Sequence, residues 1–427
     1  MNSVYTICWY GPIYQVSGYG SVSRAYLDSI RNSGLRIKVY NTGKTEKELI
    51  DKAFVRWIEE LESTEVIGNK IILIHENPAY LEKLELKDAF FCALITIFET
   101  DRIPNAWVGL LNNEFVDEVW VPSEFNVETF SRSGVKKEKL LKIPYPIDIS
   151  QYNLPKKGHE RFRILYIADF SPRKNIKQLI EAFQKEFKAK DNVELLLHTT
   201  TEFKEEQKLF INSIMQENSH KIEFSTNKMD DLSLRELISS ADLYISVDRA
   251  NGWGMPVMEA MAIGTPVATI NWSGSTEFAN MSNSLLIETS GLEQVPFELV
   301  WRSQIFLTHK WASVNTSSIQ EVLRLAYENS GLLEKLSKSA KEDILKYSPE
   351  RIGALITSHL LYVQESLKHR SVGKSHTIKR GALFLLYKLK KHVMTILRMK
   401  IDYPRKFYIR RYFRRIAGDY LLRRGSL

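Results

Sequence analysis

Residues 251–278 read NGWGMPVMEAMAIGTPVATINWSGSTEF, and their order decides the fold of the second half of the chain. The apolar run at 243–247 just before them predicts a strand. Gly252 and Gly254 then predict a tight loop, and Pro256 stands where a helix begins, a position at which its missing N–H costs nothing. Gly264 and Pro266 end that short helix, and 266–270 reads as the next strand. A strand, a glycine loop and a helix start in this order present backbone N–H groups and the positive end of a helix dipole to one point, which suits a phosphate. Glu259, placed in the first turn, is near enough to accept hydrogen bonds from a hydroxylated ligand such as ribose. The spacing equally describes a packing corner, with glycines for close approach and a Glu that offsets the dipole.

Outward from this segment the same alternation recurs. Strands are predicted at 163–168 and 193–198, with a helix over 175–187 whose Ile176, Leu179, Ile180, Phe183 and Phe187 share one face. The first third predicts strands at 4–10, 35–40, 71–75, 94–99 and 118–121, helices at 21–33, 104–112 and 124–131, and a glycine-containing loop over 11–20. Near-continuous apolar strands separated by helices point to parallel sheets covered on both faces. The polar, proline-rich stretch at 144–159 separates two such blocks. The expected fold is α/β, with two Rossmann-like domains facing a cleft. Residues 1–150 form the first domain and 151–346 the second. A crossing helix over 347–372 and a basic helical extension over 373–427 follow. Ligands in such sheets bind outside the carboxyl ends of the strands.

The 251–278 segment resembles the signature of retaining glycosyltransferases of family 4, the glycosyl transferases group 1, whose architecture is called GT-B. That pattern has two Glu eight positions apart, with GxGxPxxEAMAxGxPV around the second. Glu259 matches the second Glu, which in the family holds the donor's ribose, and Gly254, Met255, Pro256 and Val257 match the loop and helix start at the diphosphate. Asn251 stands at the first Glu, where the family contacts the donor sugar. The loop NWSGSTEF resembles the family's loop ending in an acidic residue, here Glu277. Residues 164–183 (ILYIADFSPRKNIKQLIEAF) resemble the element that supplies cations to the diphosphate: Lys174 falls on the family's lysine, Asp169 replaces its arginine, and Arg173 is the substitute. Residues 11–24 (GPIYQVSGYGSVSR) resemble the N-terminal glycine loop, with Gly18, Tyr19 and Gly20 at the donor. Glu99 follows a strand where many relatives carry a His facing the sugar, and either orients hydroxyls, handles the acceptor's proton, or bonds a helix start. His75 reads as structural.

The resemblance implies a catalytic set of Lys174, Arg173, Glu99 and Asn251 and a donor that is a nucleoside diphosphate sugar, with no separate cofactor. No Asp-x-Asp occurs in the chain, so no metal site is expected, and fixed cations with a helix dipole would stabilise the departing diphosphate. The amide at 251 leaves open a non-catalytic nucleotide-sugar-binding or scaffolding protein, or another enzyme on the same scaffold, such as an epimerase or a phosphorylase.

Charge is distributed unevenly. From Lys374 onward there are sixteen Lys and Arg against two Asp, which leaves 43 basic and 49 acidic side chains in the rest. The extension interleaves those cations with Leu, Phe, Tyr and Ile, as in RKFYIRRYFRRIAGDYLLRR. Such a segment favours an anionic membrane surface, each basic residue near it being worth about 1 kcal/mol. Nucleic acid attracts the same charge and is the less favoured partner, and a folded arm for an acidic protein is the third reading. The acceptor is expected to be a saccharide or a lipid-linked one, in cell-surface polysaccharide, lipopolysaccharide or glycolipid assembly. MNSVYTICWYGPIYQ lacks the basic start and apolar core of a secretion signal, and the longest apolar run, 89–98, is too short to cross a bilayer. Cys8 and Cys92 are the only cysteines and read as buried free thiols. The expected location is the cytoplasm, peripheral at the inner face of the membrane.

Overall fold

Six parallel strands build the first sheet: β1 (Tyr5–Gly11), β2 (Ile37–Asn41), β3 (Asn69–His75), β4 (Ala89–Ile95), β5 (Glu118–Val121) and β6 (Leu140–Lys142), in the order β2-β1-β3-β4-β5-β6. Their connections carry α1 (Gly18–Ser29), α2 (Lys52–Ser63), α3 (Asn105–Leu111) and α4 (Glu124–Arg132). In this computed structural model the described residues are 5–84, 86, 89–199, 211, 221–227, 229–296, 299 and 304–368. The described residues of 5–84 and 89–368 belong to one compact unit, and the basic extension from 373 onward lies outside the described residues.

The strands are apolar on both faces because helices cover both, and β4 is buried along its whole length. Cys8 pairs in register with Ile72, and Ile72 with Cys92. The two buried thiols therefore sit two strand spacings apart, about 9–10 Å, too far for a disulfide. The strand expected at 94–99 begins five residues earlier. The chain leaves the sheet at Thr96, whose N–H bonds Trp120, and runs on to the cleft. The helix expected from residue 21 begins at Gly18, because the Ser17 side chain caps it by accepting from the Gly20 N–H at 3.2 Å.

The second sheet is also parallel: β7 (Phe162–Ile167), β8 (Val193–His198), β9 (Ile222–Ser225), β10 (Leu243–Ser246), β11 (Val267–Ile270) and β12 (Leu285–Ile287), ordered β12-β11-β10-β7-β8-β9. Counted within this sheet the order is 3-2-1-4-5-6, that of dinucleotide-binding sheets. The helices are α5 (Ile176–Glu186), α6 (Asp231–Ser239), α7 (Met255–Ile263), α8 (Thr316–Glu328) and α9 (Ser330–Ile344). An antiparallel hairpin, β13 (Thr289–Gln294) and β14 (Lys310–Val314), is inserted after β12.

The last described element, α10 (Pro349–Lys368), returns to the first sheet's side. It packs on α1 at Gly353, where a Cβ would stand 1.9 Å from the Ser29 carbonyl oxygen. Intrinsic helix propensity would favour alanine there by about 1 kcal/mol. The obstacle is backbone and cannot swing aside, so Gly353→Ala should destabilise by roughly 1–3 kcal/mol. Thermal denaturation measures it; a melting temperature equal to or above that of the parent would refute this contact.

Candidate functional site

In each sheet the strand order reverses between two neighbours, β1 and β3 in the first and β7 and β10 in the second. Crevices outside such switch points are where ligands sit in open α/β sheets. A cavity of about 570 Å³ lies there, lined from one side by Gly18, Tyr19, Glu76, Asn77 and Glu99 and from the other by Arg173, Lys174, Asp248, Asn251 and Met255–Val257. The helix starts of α1 and α7 both line it.

The cations come from the turn after β7. Pro172–Lys174 form a single 3-10 turn, and Asn175 takes the left-handed conformation (φ 56°) that lets α5 begin at once. Lys174 Nζ donates to Asp248 Oδ2 at 2.6 Å. The other carboxylate oxygen of Asp248 accepts from the Tyr166 hydroxyl. Arg173 Nη1 donates to the Ala250 carbonyl at 2.7 Å, and Nη2 lies 3.9 Å from Asp169 Oδ2. Burial pulls the Arg173 guanidinium towards neutrality, but the carboxylates of Glu99, Asp248 and Asp169 outweigh it and hold the group more firmly charged than usual. Asp169, at the position of the family's arginine, thus faces the guanidinium that stands in for it.

The loop after β10 is shaped by two glycines. Gly254 has φ +94°, which favours glycine, and Gly252 approaches Ile97 of the first domain so closely that a Cβ would stand 2.3 Å from its side chain. Asn251 is buried, and its side chain is spent within the protein: Oδ1 accepts from the Ser275 N–H at 3.1 Å, and Nδ2 reaches Ser275 Oγ at 3.5 Å. It lines the cavity, yet its amide holds the loop at 273–275 rather than standing free for a sugar hydroxyl.

Three expected donor contacts stand elsewhere. Gly20 does not line the cavity; a Cβ there would stand 1.9 Å from the Gln15 carbonyl oxygen, so its glycine serves the turn folded over it. Glu277 is drawn to the first domain, its carboxylate accepting from Lys142 Nζ at 2.8 Å and from the Glu124 N–H at 2.7 Å. Glu259 is the fifth residue of α7, so it lies in the second turn, and it faces an adjoining cavity of about 510 Å³ with Tyr152, Asp231 and Arg235. Met255 lines both cavities, which places Glu259 beyond the helix start. Its carboxyl is enclosed, and burial, with the Asp231 charge second, pushes it up to about 7 against the Tyr152 hydroxyl and Arg235.

His75 does not line the cavity. It is fully buried, its Nδ1 lies 2.6 Å from Ser23 Oγ, and it stacks beneath Tyr19 at 5.1 Å. Burial lowers its pKa to about 3, so it is neutral and supports the Tyr19 ring. Asp248, Glu76 and Asn77 escaped the sequence reading. Each lies within two residues of the end of β3 or β10, and that position at a switch point is the signal that would have found them. Among the described residues no group of three or more His, Cys, Asp or Glu is placed to hold a metal ion. Among them, too, no helix is long and apolar enough to cross a membrane.

Residues 152–293 match the family model of glycosyl transferases group 1. That segment holds Arg173, Lys174, Asp248, Asn251 and Glu259. A search of curated protein sequences finds no match. Among solved structures, Anabaena Alr3699/HepE in complex with UDP and glucose shares 14% identity over 84% of this chain and 99% of its own, with a TM-score of 0.59. Sucrose-phosphate synthase from Thermosynechococcus elongatus gives a TM-score of 0.63 at 14% identity, covering 85% of this chain and 100% of that one. The lipopolysaccharide outer core galactosyltransferase WaaB gives 0.57 at 12% identity, over 84% and 99%. At these identities the likeness establishes the fold alone: the tandem α/β domains have the GT-B arrangement.

The Glu259 carboxyl generates a pH dependence. Its folded pKa of about 7 lies above the ordinary 4.5, so its contribution to stability is fully present below 4.5 and lost as pH rises through 7. Glu259→Gln, which mimics the protonated group, should match the parent's melting temperature near pH 4.5 and exceed it near pH 8. A constant difference across that window would contradict the enclosed carboxyl.

Proposed function

We propose that this protein is a glycosyltransferase that moves a sugar from a nucleoside diphosphate donor to an acceptor hydroxyl, with retention at the anomeric carbon. The observation that carries the reading is the meeting of Arg173, Lys174 and the α7 helix start in one cavity at the switch points of two sheets. Bond breaking places negative charge on the departing diphosphate, and fixed cations and a helix dipole aimed at it lower the barrier. No metal is required for that task in this proposal. The acceptor oxygen attacks the anomeric carbon on the face from which the diphosphate leaves. As the new C–O bond forms and the sugar–phosphate bond breaks, a β-phosphate oxygen takes the hydroxyl proton. Tyr19 and Glu99 supply contacts from the acceptor side, and Glu259 in the adjoining cavity holds the ribose.

The nucleotide bound to the Anabaena neighbour makes uracil the first base to try. The name of the galactosyltransferase neighbour supports a saccharide or lipid-linked acceptor in cell-surface polysaccharide, lipopolysaccharide or glycolipid assembly. The extension from Lys374 onward brings the protein to an anionic membrane surface at its cytoplasmic face. One observation favours a binding protein without turnover: Asn251 offers no carboxylate, and its amide is occupied by Ser275.

Thermal-shift titration with UDP, GDP, ADP and TDP sugars, followed by transfer assays on the donor that binds, tests the proposal. Donor binding with transfer supports it; binding without transfer over a broad acceptor panel favours the second reading, and no binding removes both. Lys174→Ala should cut turnover by on the order of 3 kcal/mol, about 100-fold, with the fold intact. Parent-like kinetics would remove Lys174 from the mechanism. Truncation after Leu367 should abolish co-sedimentation with anionic vesicles and leave donor affinity unchanged. Equal sedimentation of both forms at low and high salt would rule out the extension as the anchor.

A further inference from the structure

We infer that Asp248 is a positioning residue that sets how much of the Lys174 charge a bound diphosphate receives; the inference rests on the transfer reading above. Asp248 stands two residues beyond the end of β10, is 4% exposed and lines the cleft cavity. A carboxylate so buried needs a cation and hydrogen-bond donors. Lys174 Nζ supplies the first at 2.6 Å, and the Tyr166 hydroxyl donates to the second oxygen. The backbone fixes the pair further, since the Arg249 N–H donates to the Arg173 carbonyl at 2.9 Å and ties the turns after β7 and β10 together. Arg249 itself is anchored away from the cleft. Its guanidinium pairs with Glu293 and lies 5.9 Å from the Trp311 ring, and its carbonyl accepts from the Ala312 N–H.

Lys174 is therefore already engaged before any ligand arrives. An ammonium has three N–H donors, so it can keep one on Asp248 and turn another to a phosphate oxygen. Part of its charge is neutralised in the ground state, and its contribution to simple donor binding is correspondingly small. As the diphosphate gains charge in the transition state, the bond from Lys174 to phosphate strengthens. An interaction that grows between ground and transition state raises kcat, whereas one equal in both lowers only KM. By holding back part of the Lys174 charge, the same carboxylate loosens the grip on the diphosphate product and favours its release. Asn251 carries no charge, so Asp248, three residues earlier, is the carboxylate that this loop brings to the cleft.

The test is calorimetric titration of UDP, with steady-state kinetics on the donor that binds, for the parent, Asp248→Asn, Lys174→Ala and the double variant. Asp248→Asn should bind UDP roughly tenfold tighter and turn over more slowly. Both changes should disappear in the Lys174→Ala background. A merely structural role gives the opposite, weaker binding with a lowered melting temperature. Tyr166→Phe, which also removes that hydroxyl's contact with the Lys174 carbonyl at 2.8 Å, leaves the Asp248 charge unshared, tightens its hold on Lys174 and should weaken UDP binding with the melting temperature unchanged. Equal or weaker UDP binding by a cooperatively folded Asp248→Asn overturns the inference. If that variant does not fold, Tyr166→Phe decides, and unchanged or tighter binding overturns it. A parent protein that binds neither UDP nor any other nucleoside diphosphate overturns the transfer reading and this inference together. Parent binding without the expected change overturns the inference alone.

Discussion

The indole of Trp253 is the contact on which the rest of the structure depends. It projects from the loop after β10, is almost wholly buried, and packs against Tyr145 of the inter-domain connection at 5.3 Å, Phe278 at 5.1 Å and Tyr347 at 5.7 Å. From Tyr145 the rings continue through Tyr26 and His75 to Tyr19 at the start of α1. Rings of this size dominate core energetics, and tilted or edge-on pairs add to the burial term. The chain of rings links the two helix starts that line the cleft, and polar atoms along it find partners locally: the Tyr26 hydroxyl donates to the Ile143 carbonyl at 2.7 Å and Trp253 Nε1 to Met258 Sδ at 3.1 Å. The register between Gly18–Tyr19 on one side and Gly254–Val257 on the other follows from it.

Around this apolar spine the charged groups are paired almost residue by residue. Lys174 meets Asp248, Arg173 meets the Ala250 carbonyl and the charges of Glu99, Asp248 and Asp169, and Lys142 meets Glu277. Isolated buried charge is expensive, and the cleft avoids it by setting carboxylates beside each cation. The arrangement leaves the resting cleft rich in carboxylate, so an incoming diphosphate competes for cations that already have partners.

The fold was legible in the sequence because parallel strands buried on both faces are apolar throughout and the helices between them are amphipathic. Glu118–Val121 and Val193–His198 coincide with their predicted spans. The start of β4 was missed because the run from 89 to 98 is apolar except for Thr96, and only the hydrogen bond from Thr96 to Trp120 tells where the ladder ends. The three-residue edge strand Leu140–Lys142 and the hairpin from Thr289 are too short or too exposed to carry a period. In the site, Lys174, Arg173 and Glu99, picked out by the family resemblance, all line the cavity, in the loops that follow the carboxyl ends of β7 and β4. Glu259, Glu277 and Gly20 were assigned by motif, and a motif gives order along the chain but not the direction a side chain takes. One residue of helix phase moved Glu259 from the first turn to the second. A lysine across the cleft took Glu277, and neither event is written locally.

The hairpin β13–β14 reaches the first domain, where the Lys310 N–H donates to Asp101 Oδ1 at 2.6 Å, the Asp101 N–H donates to the Lys310 carbonyl, and His309 pairs with Thr100. A second attachment is made where the Ile147 N–H bonds the Tyr347 carbonyl and α10 packs on α1 at Gly353. A third is made where Glu277 accepts from Lys142 Nζ and the Glu124 N–H. Separation of the halves therefore costs three polar clasps besides the aromatic packing, and the hairpin, which the parallel sheets do not need for their own completion, supplies one of them.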